Sequence, residues 1–170
     1  MDQTLIDRIK KIKLLATDVD GVLTDAGMYY ASDGLELKKF NTRDGLGLAL
    51  MRNAGFKLAI ITSENTAIVT NRARKLRITD VYQATLTKVE AMEDLLAKYQ
   101  LTWEEAAYIG DDYNDLQLLA RVGLAVTPAD GSKRNKAVAH LVTERCGGGG
   151  CVRELCDLIL DVQGIESFLG

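Results

Sequence analysis

Asp18 and Asp20 stand one residue apart at the end of an apolar run, Leu14-Leu15-Ala16-Thr17, and lead into Gly21. In an extended chain, residues i and i+2 project to the same side. Both carboxylates can therefore face one site if strand geometry persists to the loop. Two like charges that close repel unless a cation sits between them or one takes up a proton. Mg²⁺ suits that place, as a hard cation that takes carboxylate, carbonyl and water oxygens. Read alone, the stretch fits equally well a solvated Asp-x-Asp-Gly turn with no chemistry. A second run, Ala106-Ala107-Tyr108-Ile109, repeats the pattern with Gly110, Asp111, Asp112 and Asp115. A third, Lys57-Leu58-Ala59-Ile60-Ile61, ends in Thr62 and Ser63, and Lys88 opens a helix just past Thr85-Leu86-Thr87.

The elements that must position these groups alternate. Strands are expected over 13–18, 57–61, 81–82, 106–109, 123–126 and 139–142. Helices are expected over 1–10, 42–53, 65–76, 87–99, 114–121 and from the Gly147–Gly150 run to 162, with Thr42 and Thr87 as candidate caps. Alternating strands and helices imply an α/β fold, a Rossmann-like parallel sheet flanked by helices, with ligands at the carboxyl ends of the strands. Every acidic cluster named above falls at such an end. Between Asp20 and Asn41, two short apolar runs flank Asp33-Gly34 and predict a protruding β-hairpin. A hairpin so small and so apolar is marginal in water, so it should pack on something, such as another subunit.

Bulk properties narrow the classes. The chain has 170 residues, 47% apolar and 26% charged, with a net charge of −3. That length suits one domain over 1–170 with a real core. The charge suggests no nucleic-acid or membrane partner. No apolar run approaches transmembrane length and no signal-peptide core is seen, so cytoplasmic residence is the expectation. Cys146, Cys151 and Cys156 match neither a zinc site nor a disulfide framework and read as small buried fillers. With His140 the only histidine, a Ser-His-Asp or His-metal mechanism has little to work with.

The order of strand with Asp-x-Asp-Gly, strand with Thr-Ser, helix-start Lys, and strand with Gly-Asp-Asp resembles the haloacid-dehalogenase superfamily of aspartyl-phosphate phosphatases, over roughly residues 14–126. The two intervals that house a cap domain in that superfamily are too short here for one, so the chain resembles the capless subgroup, whose members act on large substrates or borrow a neighbour as lid. The stretches 18–25, 40–45 and 147–154 look like the 3-deoxy-D-manno-octulosonate 8-phosphate (KDO-8-P) phosphatase family. That family is tetrameric, uses Mg²⁺, and sets the hairpin between subunits.

The resemblance implies roles residue by residue. Asp18 is the nucleophile, and Asp20 the general acid and then base. Asp18, the Asp20 main-chain carbonyl and Asp111 hold the metal. Asp112 and Asp115 support it from behind, although Asp115 would equally suit a solvent-facing position. Thr62, Ser63 and Lys88 bind the phosphoryl group. Asn41, Arg43, Asp44, Gly45, Glu64 and Arg72 contact substrate, and Arg43 or Arg72 is chemically apt for a carboxylate. The chain departs from the family at Ser63-Glu64, where Gly-Arg is usual, at Ala49 and at Gly149. Glu64 looks more like a sister group acting on nine-carbon acids such as 2-keto-3-deoxynonulosonate 9-phosphate (KDN-9-P), or it simply pairs with Arg72 or Lys88. Other classes fit less well. A non-catalytic fold predicts broken motifs, a receiver domain needs an acceptor Asp on the middle strand, and a phosphomutase needs a cap.

Overall fold

The computed structural model describes residues 1–166; the last four residues of the expected 1–170 domain lie outside them. In chain order the strands are β1 (Leu14–Thr17), β2 (Tyr29–Tyr30), β3 (Glu36–Leu37), β4 (Lys57–Ile61), β5 (Asp80–Tyr82), β6 (Ala106–Ile109), β7 (Leu124–Thr127) and β8 (Leu141–Val142). The helices are α1 (Gln3–Ile9), α2 (Thr42–Asn53), α3 (Ala67–Leu76), α4 (Lys88–Tyr99), α5 (Leu116–Leu119), α6 (Lys133–Val138) and α7 (Cys151–Val162).

All four residues of β1 are buried. A strand apolar on both faces belongs in the middle of a parallel sheet covered on both sides. The six-stranded order is β5-β4-β1-β6-β7-β8, with β1 central and every pairing parallel. Successive side chains serve opposite layers. Leu15 joins Leu48, Met51, Val69, Val152 and Leu155 beneath α2, α3 and α7. Leu14 and Ala16 join Val89, Met92, Leu95 and Leu118 beneath α4 and α5. β2 and β3 pair only with each other, in the expected hairpin. Among the described residues, no helix is long and apolar enough to cross a membrane.

Several local expectations shift. The cap of α2 is Asn41, not Thr42: Asn41 is extended and its side chain accepts the Arg43 N–H, whereas Thr42 is already helical. Thr87 precedes α4 but makes no side-chain capping bond. The helix expected over 114–121 is a short 3₁₀ turn, Tyr113–Asp115, followed by the single turn of α5. The short helix α6 was not foreseen, since Lys133-Arg134-Asn135-Lys136 has no apolar period; its one signal was Ser132, which accepts the Asn135 N–H as a cap. Cys151 and Cys156 are buried fillers as expected, but Cys146 is exposed.

Candidate active site

Register places the chemistry. Thr17 pairs with both Ile60 and Ile109, so the residues that follow β1, β4 and β6 emerge side by side. They are Asp18, Thr62 and Asp111. Here the connections from the neighbouring strands β1 and β6 depart to opposite sides of the sheet, the kind of crevice where open α/β sheets bind ligands. A cavity of about 400 Å³ opens there, lined by Asp18, Asp20, Met28, Thr62, Ser63, Glu64, Asp111 and Asn114 among others.

Beneath the cavity floor, Lys88 reaches from the first turn of α4. Its ammonium donates to Asp18 Oδ2 and to Asp115 Oδ1, each at 2.6 Å, and to the Tyr108 hydroxyl at 3.2 Å. Lys88 is 2% exposed, Asp18 5% and Asp115 0%. Burial tends to lower the Lys88 ammonium, but Asp18 and Asp115 outweigh it and hold it above the ordinary lysine range. Asp18 Oδ1 accepts the Val19 N–H at 2.7 Å. Even so, burial first, then the Asp115 charge, push the Asp18 carboxyl up to about 7 against the opposing pull of Lys88. Burial likewise pushes Asp111 up to about 7, with Asp18, Asp115 and Asp112 adding to it. Two neighbouring acids that resist ionisation mark a place where positive charge is in demand.

Ligand-capable oxygens of Asp18, Asp111 and Asp115 lie within 4.8 Å of one another. This hard oxygen set suits a divalent cation such as Mg²⁺. Asp115 is largely committed elsewhere. Its Oδ1 accepts from Lys88 and Tyr108, and its Oδ2 accepts the N–H groups of Asp111 and Asp112. It therefore shapes the Asp111 loop and neutralises Lys88, and it does not face solvent. The Asp20 carboxylate stands outside the cluster and accepts from Lys38 Nζ at 2.6 Å. Gly21 has φ +78°, and a Cβ there would strike the Asp111 carboxylate. A glycine is what lets the two loops close on each other.

Of the remaining expected residues, some meet the cavity and others do not. Thr62 is buried, its hydroxyl accepting the Glu64 N–H. Ser63 donates to the Thr85 carbonyl and accepts from Asn114. Glu64 is exposed at the cavity wall and forms no ion pair among the described residues. It pairs with neither Lys88, which is engaged by Asp18 and Asp115, nor Arg72, which donates to the Asn41 carbonyl and stacks 5.1 Å from the Phe40 ring. Asn41 also donates to the Gly148 carbonyl. Asp44 is fully buried and accepts the Arg153 N–H at 2.8 Å. It thus caps α7, whose own N-cap, Gly150, has no side chain to offer. Arg72 packs over Gly45, where a Cβ would strike its guanidinium. Arg43 lines a separate groove with Arg145 and Arg153. Asp112 caps the 3₁₀ turn through the Tyr113 N–H. Sequence reasoning missed Tyr108 and Lys38. Tyr108 sits inside an apolar run and Lys38 just past a hairpin strand, and neither position carries a chemical signal of its own.

A doubly wound sheet with a buried aspartate at its switch point, backed by a buried lysine and a second acid loop, suits a hydrolase that works through an aspartate. The comparisons agree. A family model described as haloacid dehalogenase-like hydrolase matches residues 48–155. The 3-deoxy-D-manno-octulosonate 8-phosphate phosphatase KdsC of Yersinia pestis is 44% identical, over 94% of this chain and 85% of its own. The crystal structure of the Yersinia pestis phosphatase superposes with a TM-score of 0.94 at 43% identity, covering 96% of this chain and 89% of that one. The Moraxella catarrhalis phosphatase, solved with a magnesium ion, a phosphate ion and a KDO molecule, superposes with a TM-score of 0.94 at 38% identity, covering 96% and 94%. The chain belongs to the haloacid dehalogenase-like hydrolases and, within them, to the family of the 3-deoxy-D-manno-octulosonate 8-phosphate phosphatases.

Proposed function

We propose that this chain is a Mg²⁺-dependent phosphatase that hydrolyses the phosphomonoester of a 2-keto-3-deoxy sugar acid, KDO-8-P to KDO and phosphate, through an aspartyl-phosphate. The observation that carries the reading is the convergence of Asp18, Thr62 and Asp111 on one pocket from three separate loops, with Lys88 beneath its floor bonded to Asp18. The relatives' names and the bound KDO of the Moraxella structure support the substrate.

In this reading an Asp18 oxygen attacks phosphorus while the bond from phosphorus to the sugar oxygen breaks. Asp20 gives its proton to the departing oxygen, so the sugar acid leaves as an alcohol. Asp20, now a carboxylate, takes a proton from a water whose oxygen attacks phosphorus in turn. Phosphate leaves and Asp18 returns as a carboxylate. Thr62, Ser63 and Lys88 hold the phosphoryl oxygens, with Lys88 also orienting Asp18. Mg²⁺, held by Asp18, Asp111 and the Asp20 carbonyl, supplies charge that offsets those oxygens when bound. The fully engaged Asp115 and Asp112 brace this arrangement.

Phosphate release with Mg²⁺ from KDO-8-P, KDN-9-P and an aryl phosphate, side by side, tests the proposal. Strong preference for KDO-8-P supports it. Equal weak rates on all three would void the sugar-acid assignment, and no release from any would favour a non-catalytic fold. Glu64 supports the nine-carbon alternative, because a free carboxylate at the cavity wall accepts hydrogen bonds from sugar hydroxyls. Glu64→Arg is expected to shift the kcat/KM ratio toward the eight-carbon acid by roughly tenfold, the worth of about one net hydrogen bond. An unchanged ratio would remove Glu64 as a determinant.

The metal has a readout apart from activity. Asp18 and Asp111 have pKa values raised from the unfolded 3.8 to about 7. Their stability contribution is full below the unfolded value and is lost as pH rises through about 7. The metal-free protein should therefore lose thermal stability between about pH 5 and about pH 8. Mg²⁺ at about 100-fold excess over its Kd should raise Tm by about 5–10 °C at the higher pH and by much less at the lower one. An equal Mg²⁺ effect at both would exclude these two acids as the ligands.

The hairpin supports a homo-oligomer, a tetramer by resemblance. Met28, Tyr29, Tyr30, Leu35 and Leu37 are all exposed on an element two residues wide. So apolar a patch suits a protein partner, and we assign it to a second copy of the chain; a monomer in sedimentation would refute this. Three free cysteines suit the reducing cytoplasm. Residues 1–170 acting as one domain completes the proposal.

A further inference from the structure

We propose that Lys38 is the positioning residue for Asp20, tying proton delivery to the placement of the hairpin. The inference rests on the phosphatase reading above and adds a residue to its machinery. Lys38 lies just past β3, far in sequence from the reactive loop, yet its ammonium meets Asp20 Oδ1 at 2.6 Å. The other partner of that carboxylate among the described residues is the Thr24 hydroxyl, at 3.4 Å. Asp20 Oδ2 is buried and has no hydrogen-bond partner. One strong, charge-assisted bond therefore fixes the carboxylate's orientation, and the second oxygen is left free of any protein donor.

The bond is part of a clamp. Lys39 Nζ and the Tyr29 hydroxyl both donate to Asp25 Oδ2, at 3.2 and 2.7 Å. Phe40 bridges to Thr24 through the main chain. The return strand of the hairpin thus grips the loop 20–25 at three successive residues, 38 to 40. Lys38 is the one that touches a reacting group. Glu36 also lies 3.7 Å from the same ammonium.

A residue that orients the acid matters most where the leaving oxygen needs a proton. An alkyl phosphate expels a strongly basic alkoxide, and a 4-nitrophenyl phosphate does not. For Lys38→Met with Mg²⁺ present, kcat on a sugar-acid phosphate should fall about 10- to 100-fold, a part of the full worth of a general acid. KM should hold, and kcat/KM on 4-nitrophenyl phosphate, which reports the first phosphoryl transfer alone, should fall less than about threefold. Lys38→Arg, which keeps a donor toward Asp20, should recover part of the loss. Lys39→Met, which removes one of the two side-chain donors to Asp25 and leaves Asp20 untouched, should leave kcat unchanged and controls for the grip on the loop. Equal losses on both substrates would overturn the inference in favour of a purely structural clamp. A raised KM with unchanged kcat would make Lys38 a binding residue, and no effect would remove it altogether. Any of these with an active parent enzyme leaves the phosphatase reading standing; an inactive parent would sink that reading instead.

Discussion

Asp18→Asn is expected to cut phosphate release by at least about 10⁴-fold, on the order of 5 kcal/mol in the barrier, with the fold intact. Asparagine keeps the shape and can still accept the Val19 N–H through its carbonyl oxygen; its amide nitrogen then faces the Lys88 ammonium, donor to donor, so Lys88 shifts toward Asp115 while the β1 loop stays in place. What it lacks is a nucleophilic oxygen. The fold should tolerate the change well. The Asp18 carboxyl is pushed up to about 7 by burial and by Asp115, so its ionised form opposes folding above that pH. Lys88 retains Asp115 as a partner at 2.6 Å. Circular dichroism and Tm should match or exceed the parent at about pH 8 while turnover disappears. Surviving activity would mean that another group attacks phosphorus.

Lys88→Met is expected to damage both stability and activity. It strips the shared cation from two buried carboxylates, and removing one member of a buried ion pair costs about 3–5 kcal/mol. The cost must depend on pH. Lys88 is an influence that lowers Asp18, so without it the Asp18 pKa climbs further, and stability is lost as pH rises through that raised value. Denaturant unfolding in chelator should therefore show a larger loss at about pH 8 than at about pH 5, where the carboxyl takes a proton. Equal losses at both would mean that Lys88 contributes through packing and not through charge.

Much of this was legible in the chain. The succession of strands along the chain and the positions of Asp18, Thr62 and Asp111 could be read because each lies within two residues of the end of an apolar run, a pattern that survives any detail of packing. Lys88 at a helix start and Asp115 one turn into another were legible only as members of an ordered set. Their contact with each other spans 27 residues and depends on how α4 lies against β6, which no local pattern encodes. Asp44 shows the reverse case. It sits in a stretch expected to touch substrate, and in the fold its buried Oδ1 caps α7, because Gly150 cannot cap its own helix. Lys38 and Tyr108 were invisible because a lysine in a hairpin and a tyrosine in a core strand are ordinary. Only the fold reveals that both point at aspartates.

The parallel register of β1 has a consequence for how the chain matures. Leu14 at its start finds one neighbour in Lys57 and the other in Ala106. Pairings that distant in sequence form slowly, because the loop must close before the contacts repay it. The charge-balancing set is completed later still, since Asp18 waits for Lys88 and Lys88 for Asp115. During synthesis, then, the first strand and its aspartate emerge long before the groups that neutralise them. A fragment ending before Asp115 would carry Asp18 and Lys88 without the second carboxylate that shares the lysine's charge.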